Sequence, residues 1–255
     1  MNDFSGRNVV VTGAGTGIGR AIVLRLAAAG AKLGLLGRRK PPLDEVAAEA
    51  AGETRVVSVD VRDAAAQQAA FEQVAEAFGP LHGLVTSAGA GGPNEAGPGD
   101  RWDEVVRTNL DGSYHSIRAF ERQLASGPAP RHVVLISSCL ARFGVPGYTA
   151  YCASKAGLLG MTRALALEWA ERGVLVNAIC PGWVDTEMAR AGLQALADGA
   201  GQEFEQAKRE ALDLVPLQRM SEPGEIAETV AFLLGPGGAS YTGQAFDPNC
   251  GSWMG

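Results

Sequence analysis

Tyr151 and Lys155 stand four residues apart in the run Tyr151-Cys152-Ala153-Ser154-Lys155, so on a helix both side chains project from one face. Such a pair could move a proton. A tyrosine with its ordinary pKa of about 10 is a poor acid–base catalyst at neutrality, but an adjacent ammonium stabilises the phenolate and draws that value toward the working range. Tyrosine and lysine meet at this spacing by chance as well, so the surroundings decide whether the pair is chemical.

A second group is the run Thr12-Gly13-Ala14-Gly15-Thr16-Gly17-Ile18-Gly19, which follows an apolar segment and leads into a helical one starting at Arg20. Glycines there let the chain turn tightly, bring backbone N–H groups near a pyrophosphate and pack helix on strand, while the helix amino end favours negative charge. A merely structural turn is the other reading. About 20 residues further on, the usual dinucleotide fold places a carboxylate on the ribose hydroxyls. This chain has Leu36-Gly37-Arg38-Arg39 instead. With no acid to repel a 2′-phosphate and two guanidiniums to grip it, NADP(H) is the favoured cofactor and NAD(H) the other one permitted. The alternative is that Arg38 and Arg39 cap a solvated strand end. Asp60, with Val61 beside it, is placed to reach an adenine amino group, or equally to cap the next helix.

These groups need a scaffold, and its pattern is legible. Apolar, β-branched runs at Asn8–Thr12, Lys32–Leu36, Arg55–Val59, His82–Thr86, His132–Ser137, Val174–Cys180 and Gln244–Asp247 imply seven strands. Between them, Val106, Leu110, Ser113, Ile117, Phe120 and Leu124 form one helical stripe, and Arg20–Ala29, Leu43–Ala51, Ala64–Phe78, Tyr151–Glu171 and Glu222–Leu234 also read as helices. Ser221 is the expected N-cap of the last, with Pro223 in its first turn. Alternating strand and helix with right-handed crossovers predicts a doubly wound α/β fold, a parallel sheet of seven strands with helices on both faces, in one domain over residues 1–255. Ala90–Asp100 is Gly/Pro-rich and reads as a surface loop. Trp183–Pro216 is a long insertion, either a mobile lid over a pocket or a surface helical hairpin.

Composition narrows the classes. The 255 residues are 46% hydrophobic and 20% charged, as in an ordinary globular protein with a sizeable core. A net charge of −6, with no basic run beyond Arg38-Arg39-Lys40, argues against nucleic acid as a partner. The amino terminus has no apolar leader and no segment has the length of a membrane span, which predicts a cytoplasmic protein. Cys139, Cys152, Cys180 and Cys250 form no close pair and read as free thiols. His82, His115 and His132 are scattered without metal-ligand spacing and read as structural.

The chain from Arg7 to Gly251 resembles the short-chain dehydrogenase/reductase (SDR) family. The resemblance rests on Thr12–Gly19, Ser87-Ala88-Gly89, Asn109, Ser137-Ser138, Tyr151 with Lys155, and Pro181-Gly182-Trp183-Val184-Asp185-Thr186, in that order. It implies that Tyr151 is the general acid for a carbonyl oxygen and that Ser138 hydrogen-bonds the same oxygen, with Ser137 as the alternative. It further implies that Lys155 holds the nicotinamide ribose, that Asn109 holds a water linking Lys155 to solvent, and that Val184 and Thr186 fix the carboxamide after Pro181-Gly182. The family usually has Asn-Asn-Ala-Gly where this chain has Thr86-Ser87-Ala88-Gly89, and an Asp-Gly-Gly-like turn where it has Asp247-Pro248-Asn249-Cys250-Gly251. By analogy Cys139, Leu140, Tyr148, Trp183, Met188 and Leu193 face the substrate, although each could equally be core. Their apolar character points to an apolar or cyclic ketone, or its secondary alcohol, reduced or oxidised by a protein assembling as a homodimer or homotetramer. A dinucleotide-binding sensor or scaffold without catalysis is the alternative, and a lyase on the same fold a third.

Overall fold

A computed structural model of the protein describes residues 3–94, 96–127 and 129–255. Seven strands, β1 (Asn8–Thr12), β2 (Lys32–Gly37), β3 (Thr54–Ser58), β4 (Gly83–Thr86), β5 (Arg131–Ile136), β6 (Val174–Ile179) and β7 (Ala245–Phe246), form one sheet in the order β3-β2-β1-β4-β5-β6-β7. Every ladder is parallel. Chain order reverses between β1 and β4, and the crevice outside the carboxyl ends of those strands is where a sheet of this kind binds ligands.

The sheet is buried on both faces because strand side chains alternate. Val9 and Val11 of β1 pack into one core with helices α1 (Gly17–Ala27), α2 (Lys40–Glu49) and α9 (Pro223–Leu234). Val10 turns into the other, with α3 (Ala64–Phe78), α5 (Gly112–Arg122) and α6 (Thr149–Trp169). Runs of apolar residues rather than strict alternation are what such doubly covered strands require. In β2, Gly34 admits Val74 of α3: a Cβ there would lie 2.8 Å from Val74 Cγ2.

Three local features differ from the sequence reading. The stripe from Val106 to Leu124 is not one regular helix. Helix α4 (Trp102–Val106) passes through a π turn at Arg107–Asp111 into α5, and Leu124 lies beyond its end. A π turn inserts one extra residue without breaking the backbone, and such insertions gather at functional sites. Helix α9 is capped by Glu222, not Ser221: the Glu222 N–H donates to Glu225 Oε2 at 2.7 Å, while Ser221 forms a short parallel bridge with Val184. The insertion Trp183–Pro216 holds two helices packed on each other, α7 (Glu187–Ala200) and α8 (Phe204–Asp213). Among the described residues no helix is long and apolar enough to cross a membrane. All four cysteines are free thiols.

Candidate active site

The carboxyl ends of β1, β4, β5 and β6 open into a cavity of about 1000 Å³, closed on its far side by α7 and α8. At one end lies the glycine turn. Gly13 adopts φ +67°, and a Cβ on it would sit 2.7 Å from Ala88 N, so this close passage of β1 against β4 admits no side chain. A Cβ on Gly19 would meet Gly13 O at 2.1 Å, which fixes α1 tightly on the turn. Thr16 makes no capping bond to its own helix, and Gly17, Ile18 and Gly19 of the first turn line the cavity. A helix amino end presented in this way suits a phosphate or pyrophosphate group.

At the other end stand Ser138, Tyr151 and Lys155. Ser138 continues β5 in extended backbone and caps a single 3₁₀ turn, Cys139–Ala141, its Oγ accepting from Leu140 N–H at 3.1 Å. Ser137 is committed elsewhere, donating from Oγ to the Lys155 carbonyl at 2.9 Å, which separates the two serines that the sequence left as alternatives. Tyr151 and Lys155 share one face of α6. The Lys155 Nζ lies 5.6 Å from the Tyr151 ring centroid and donates to Ile136 O at 2.9 Å. Burial dominates both titrations, pushing the Tyr151 hydroxyl up to about 12 against the opposing Ser138 hydrogen bond, and Lys155 down to about 8. The drop in tyrosine pKa expected from the neighbouring cation is therefore not seen in the protein alone, where burial raises the hydroxyl and the Ser138 hydrogen bond is what opposes it.

Asn109, in the π turn, is fully buried and does not line the cavity. Its amide clamps Ala90, accepting from Ala90 N–H at 2.7 Å and donating to Ala90 O at 3.0 Å, and also donates to Ser154 Oγ at 3.0 Å. Its side chain is thus held by protein partners on both its oxygen and its nitrogen. It still borders the lysine: a Cβ on Gly89 would lie 3.3 Å from Asn109 Oδ1 and 3.6 Å from Lys155 Nζ. The clamp also holds the Ser87-Ala88-Gly89 turn, where Thr12 Oγ1 accepts from Ala88 N–H at 3.3 Å.

Of the remaining expected residues, Arg39, Pro181, Gly182, Trp183, Val184, Thr186, Cys139, Leu140, Tyr148 and Met188 line the cavity. Gly15 faces a smaller neighbouring cavity of about 400 Å³, which Arg39 also lines. Arg38, Asp60, Val61 and Leu193 do not line the large cavity. Arg38 is exposed, and its charge acts on Asp60 and Glu104. Arg62 forks onto Asp60, Nη2 to Oδ2 at 2.6 Å, and holds that carboxyl below its ordinary range. Nor does Asp60 cap α3; Asp63 does, accepting from Ala66 N–H at 2.9 Å. Leu193 is turned into the protein at 1% exposure, because the cavity-facing stripe of α7 runs through Met188, Gly192, Leu196 and Ala200, one residue out of phase with it. The sequence reading missed Ala207, Ala211, Leu214 and Val215 of the second wall; the two alanines carry little apolar signal, and Leu214 and Val215 follow the end of α8.

The family model described as enoyl-(acyl carrier protein) reductase matches residues 13–252. The chain belongs to the short-chain dehydrogenase/reductase family. This SDR is 40% identical over 245 residues to a galactitol 2-dehydrogenase (L-tagatose-forming) of Cereibacter sphaeroides, covering 94% of this chain and 92% of that protein. It is 36% identical over 247 residues to an acetoacetyl-CoA reductase of Synechocystis, covering 94% of each. A crystal structure of an actinorhodin polyketide ketoreductase variant with NADPH superposes at TM-score 0.87 and 33% identity, covering 96% of this chain and 97% of that one. The SDR described here is thus an oxidoreductase of ketoreductase or dehydrogenase type.

Proposed function

We propose that the protein is an NADPH-dependent carbonyl reductase, reversibly a secondary-alcohol dehydrogenase, acting on apolar or cyclic ketones. The observation that carries this reading is the convergence of Ser138, Tyr151 and Lys155 on one cavity whose other end is the glycine cradle. When bound, the reduced nicotinamide supplies the hydride. Gly13 to Gly19 and Ser87 to Gly89 hold the dinucleotide, and Pro181, Gly182, Val184 and Thr186 orient its nicotinamide end. Ser138, whose Oγ accepts from Leu140 N–H and whose hydroxyl faces Tyr151, gives its O–H to the substrate oxygen when one is bound. Tyr151, protonated at neutral pH, gives that oxygen its proton, and Lys155 holds the ribose beside it. A sensor without catalysis would have no use for all three groups in register.

Arg39 supports the preference for a 2′-phosphate, since it lines both cavities at the cradle end, while Arg38 lies outside them. The apolar wall of Leu140, Phe143, Val145, Trp183 and Leu196 supports an apolar ketone. Helices α7 and α8 serve as a lid over it, Met188 reaching Gly91 across the opening, where a Cβ would lie 2.9 Å from Met188 Sδ. Assembly as a homodimer or homotetramer is part of the same reading, supported by the exposed apolar side chains Tyr114 on α5 and Leu167 on α6.

The test is loss of reduced-nicotinamide absorbance with NADPH or NADH and a panel of cyclohexanone, acetophenone and 2-decanone. Turnover with NADPH is expected. No turnover of any ketone, or of the matching alcohols with NADP⁺ or NAD⁺, overturns the proposal.

A further inference from the structure

The segment after β7, whose Asp247-Pro248-Asn249-Cys250-Gly251 departs from the turn usual in the family, reaches back to the Ser138 end of the cavity. Arg142 closes the 3₁₀ turn that Ser138 caps, its N–H donating to Cys139 O at 2.8 Å. Its guanidinium then leaves the turn and forks onto Asp247, Nε to Oδ1 at 3.1 Å and Nη2 to Oδ2 at 2.9 Å. Each charged side chain is only 20% exposed. The same guanidinium lies 4.7 Å from the Trp253 ring centroid, so it is held on two sides. Asn249, 3% exposed, locks the tail in this course by donating from Nδ2 to Trp253 O at 3.1 Å and accepting Gly251 N–H on Oδ1 at 2.9 Å. It also abuts the nicotinamide-side turn: a Cβ on Gly182 would fall 2.9 Å from Asn249 O.

We propose that Arg142, gripped by Asp247 and Trp253, is a positioning residue for Ser138, so that the tail after β7 belongs to the active site of its own chain. This rests on the carbonyl-reduction reading above. The reasoning is geometric. Leu140 N–H occupies one lone pair of Ser138 Oγ and so restricts where its hydroxyl points, and that bond depends on the Cys139–Ala141 turn keeping its shape. A bidentate, partly desolvated guanidinium–carboxylate pair fixes both distance and plane, which a lysine in its place would not. Displacement of a positioned group by about 1 Å costs up to about 100-fold in rate.

The experiment uses the full chain with NADPH and the best ketone of the panel above, in the unaltered protein, Arg142→Gln, Asp247→Asn, the double variant and Arg142→Lys. Amide exchange over residues 138–142 is measured alongside. Expected is a fall in kcat of about 10- to 100-fold in each neutralised single variant, with NADPH Kd and Tm little changed, faster exchange at Leu140, and a double variant no worse than either single. Arg142→Lys recovers part of the rate. The proposal is overturned by unchanged kcat and exchange in Arg142→Gln, by losses that multiply in the double variant, or by a kcat deficit that only tracks lost folded protein. Leu140 exchange reports on the clamp even without turnover. Absence of turnover in the unaltered chain therefore counts against the reduction reading, whereas turnover and Leu140 protection that ignore Arg142 count against the positioning role alone.

Discussion

Lys155 directs its ammonium to the Ile136 carbonyl, 2.9 Å away, and holds it 5.6 Å from the centre of the Tyr151 ring. The pair is thus a neutral phenol beside a cation that gives one of its three N–H groups to the backbone. That arrangement suits donation of a proton more than its removal.

The two titrations set a pH dependence. Reduction needs Tyr151 protonated and Lys155 charged, and with values of about 12 and about 8 both conditions hold below about 8. We expect kcat/KM for ketone reduction to be level from about pH 6 to about 7.5 and to fall above about 8 as the ammonium is lost, while alcohol oxidation, which needs the phenolate, rises over the same range. Initial rates in both directions between about pH 6 and about 10 check this; a reduction rate that climbs with pH contradicts it.

Cofactor choice separates the two arginines. Arg39→Asp should weaken NADPH by about 1–3 kcal/mol and leave NADH within a few-fold, and Arg38→Asp should do less, because only Arg39 lines the cradle end of the cavity. Calorimetric titration with both dinucleotides distinguishes them. Equal losses for NADPH and NADH on changing Arg39 would show that it does not meet the 2′-phosphate.

The lid residues make opposite predictions. Leu193→Ala, in the packed interior, should cost about 2–5 kcal/mol in chemical denaturation with substrate choice unchanged. Leu196→Phe, on the cavity wall, should alter the ranking of ketones with little loss of stability. The reverse pattern would place the inner face of α7 one residue away.

At the opposite end of the sheet, His132 is 2% exposed and burial pushes it down to about 4. Its folded value lies below the ordinary 6.5, so between about pH 6.5 and 4 the unfolded chain binds more protons and stability falls as pH falls. The single group accounts for about 3 kcal/mol over that window. His132→Gln should flatten the slope of unfolding free energy against pH there; an unchanged slope would assign the acid sensitivity to other groups.

The fold was legible because its signals are local. β-branched runs and helical stripes recur along the chain, and the glycine turn sits where strand meets helix. Tyr151 and Lys155 were legible for the same reason, four residues on one helix face. The π turn was not, since an apolar stripe with steps of three and four residues reads alike with or without one extra residue. The phase of α7 was mistaken because Gly192 and Ala200 shape the cavity without hydrophobic weight while Leu193 has that weight and faces inward. The fork of Arg62 on Asp60 was not legible, since two residues of opposite charge so close in sequence pair only where the turn after β3 lets them. The Arg142–Asp247 pair, 105 residues apart, could only emerge from the packed chain.

The most direct measurement is single-turnover reduction of the best ketone by the NADPH-loaded protein and its Tyr151→Phe variant, with NADPH affinity measured on both. Loss of about 10²- to 10⁴-fold in rate with affinity preserved is the expected result. A variant that keeps its rate would contradict the assignment of Tyr151 as proton donor, and with it the proposed chemistry of this cavity.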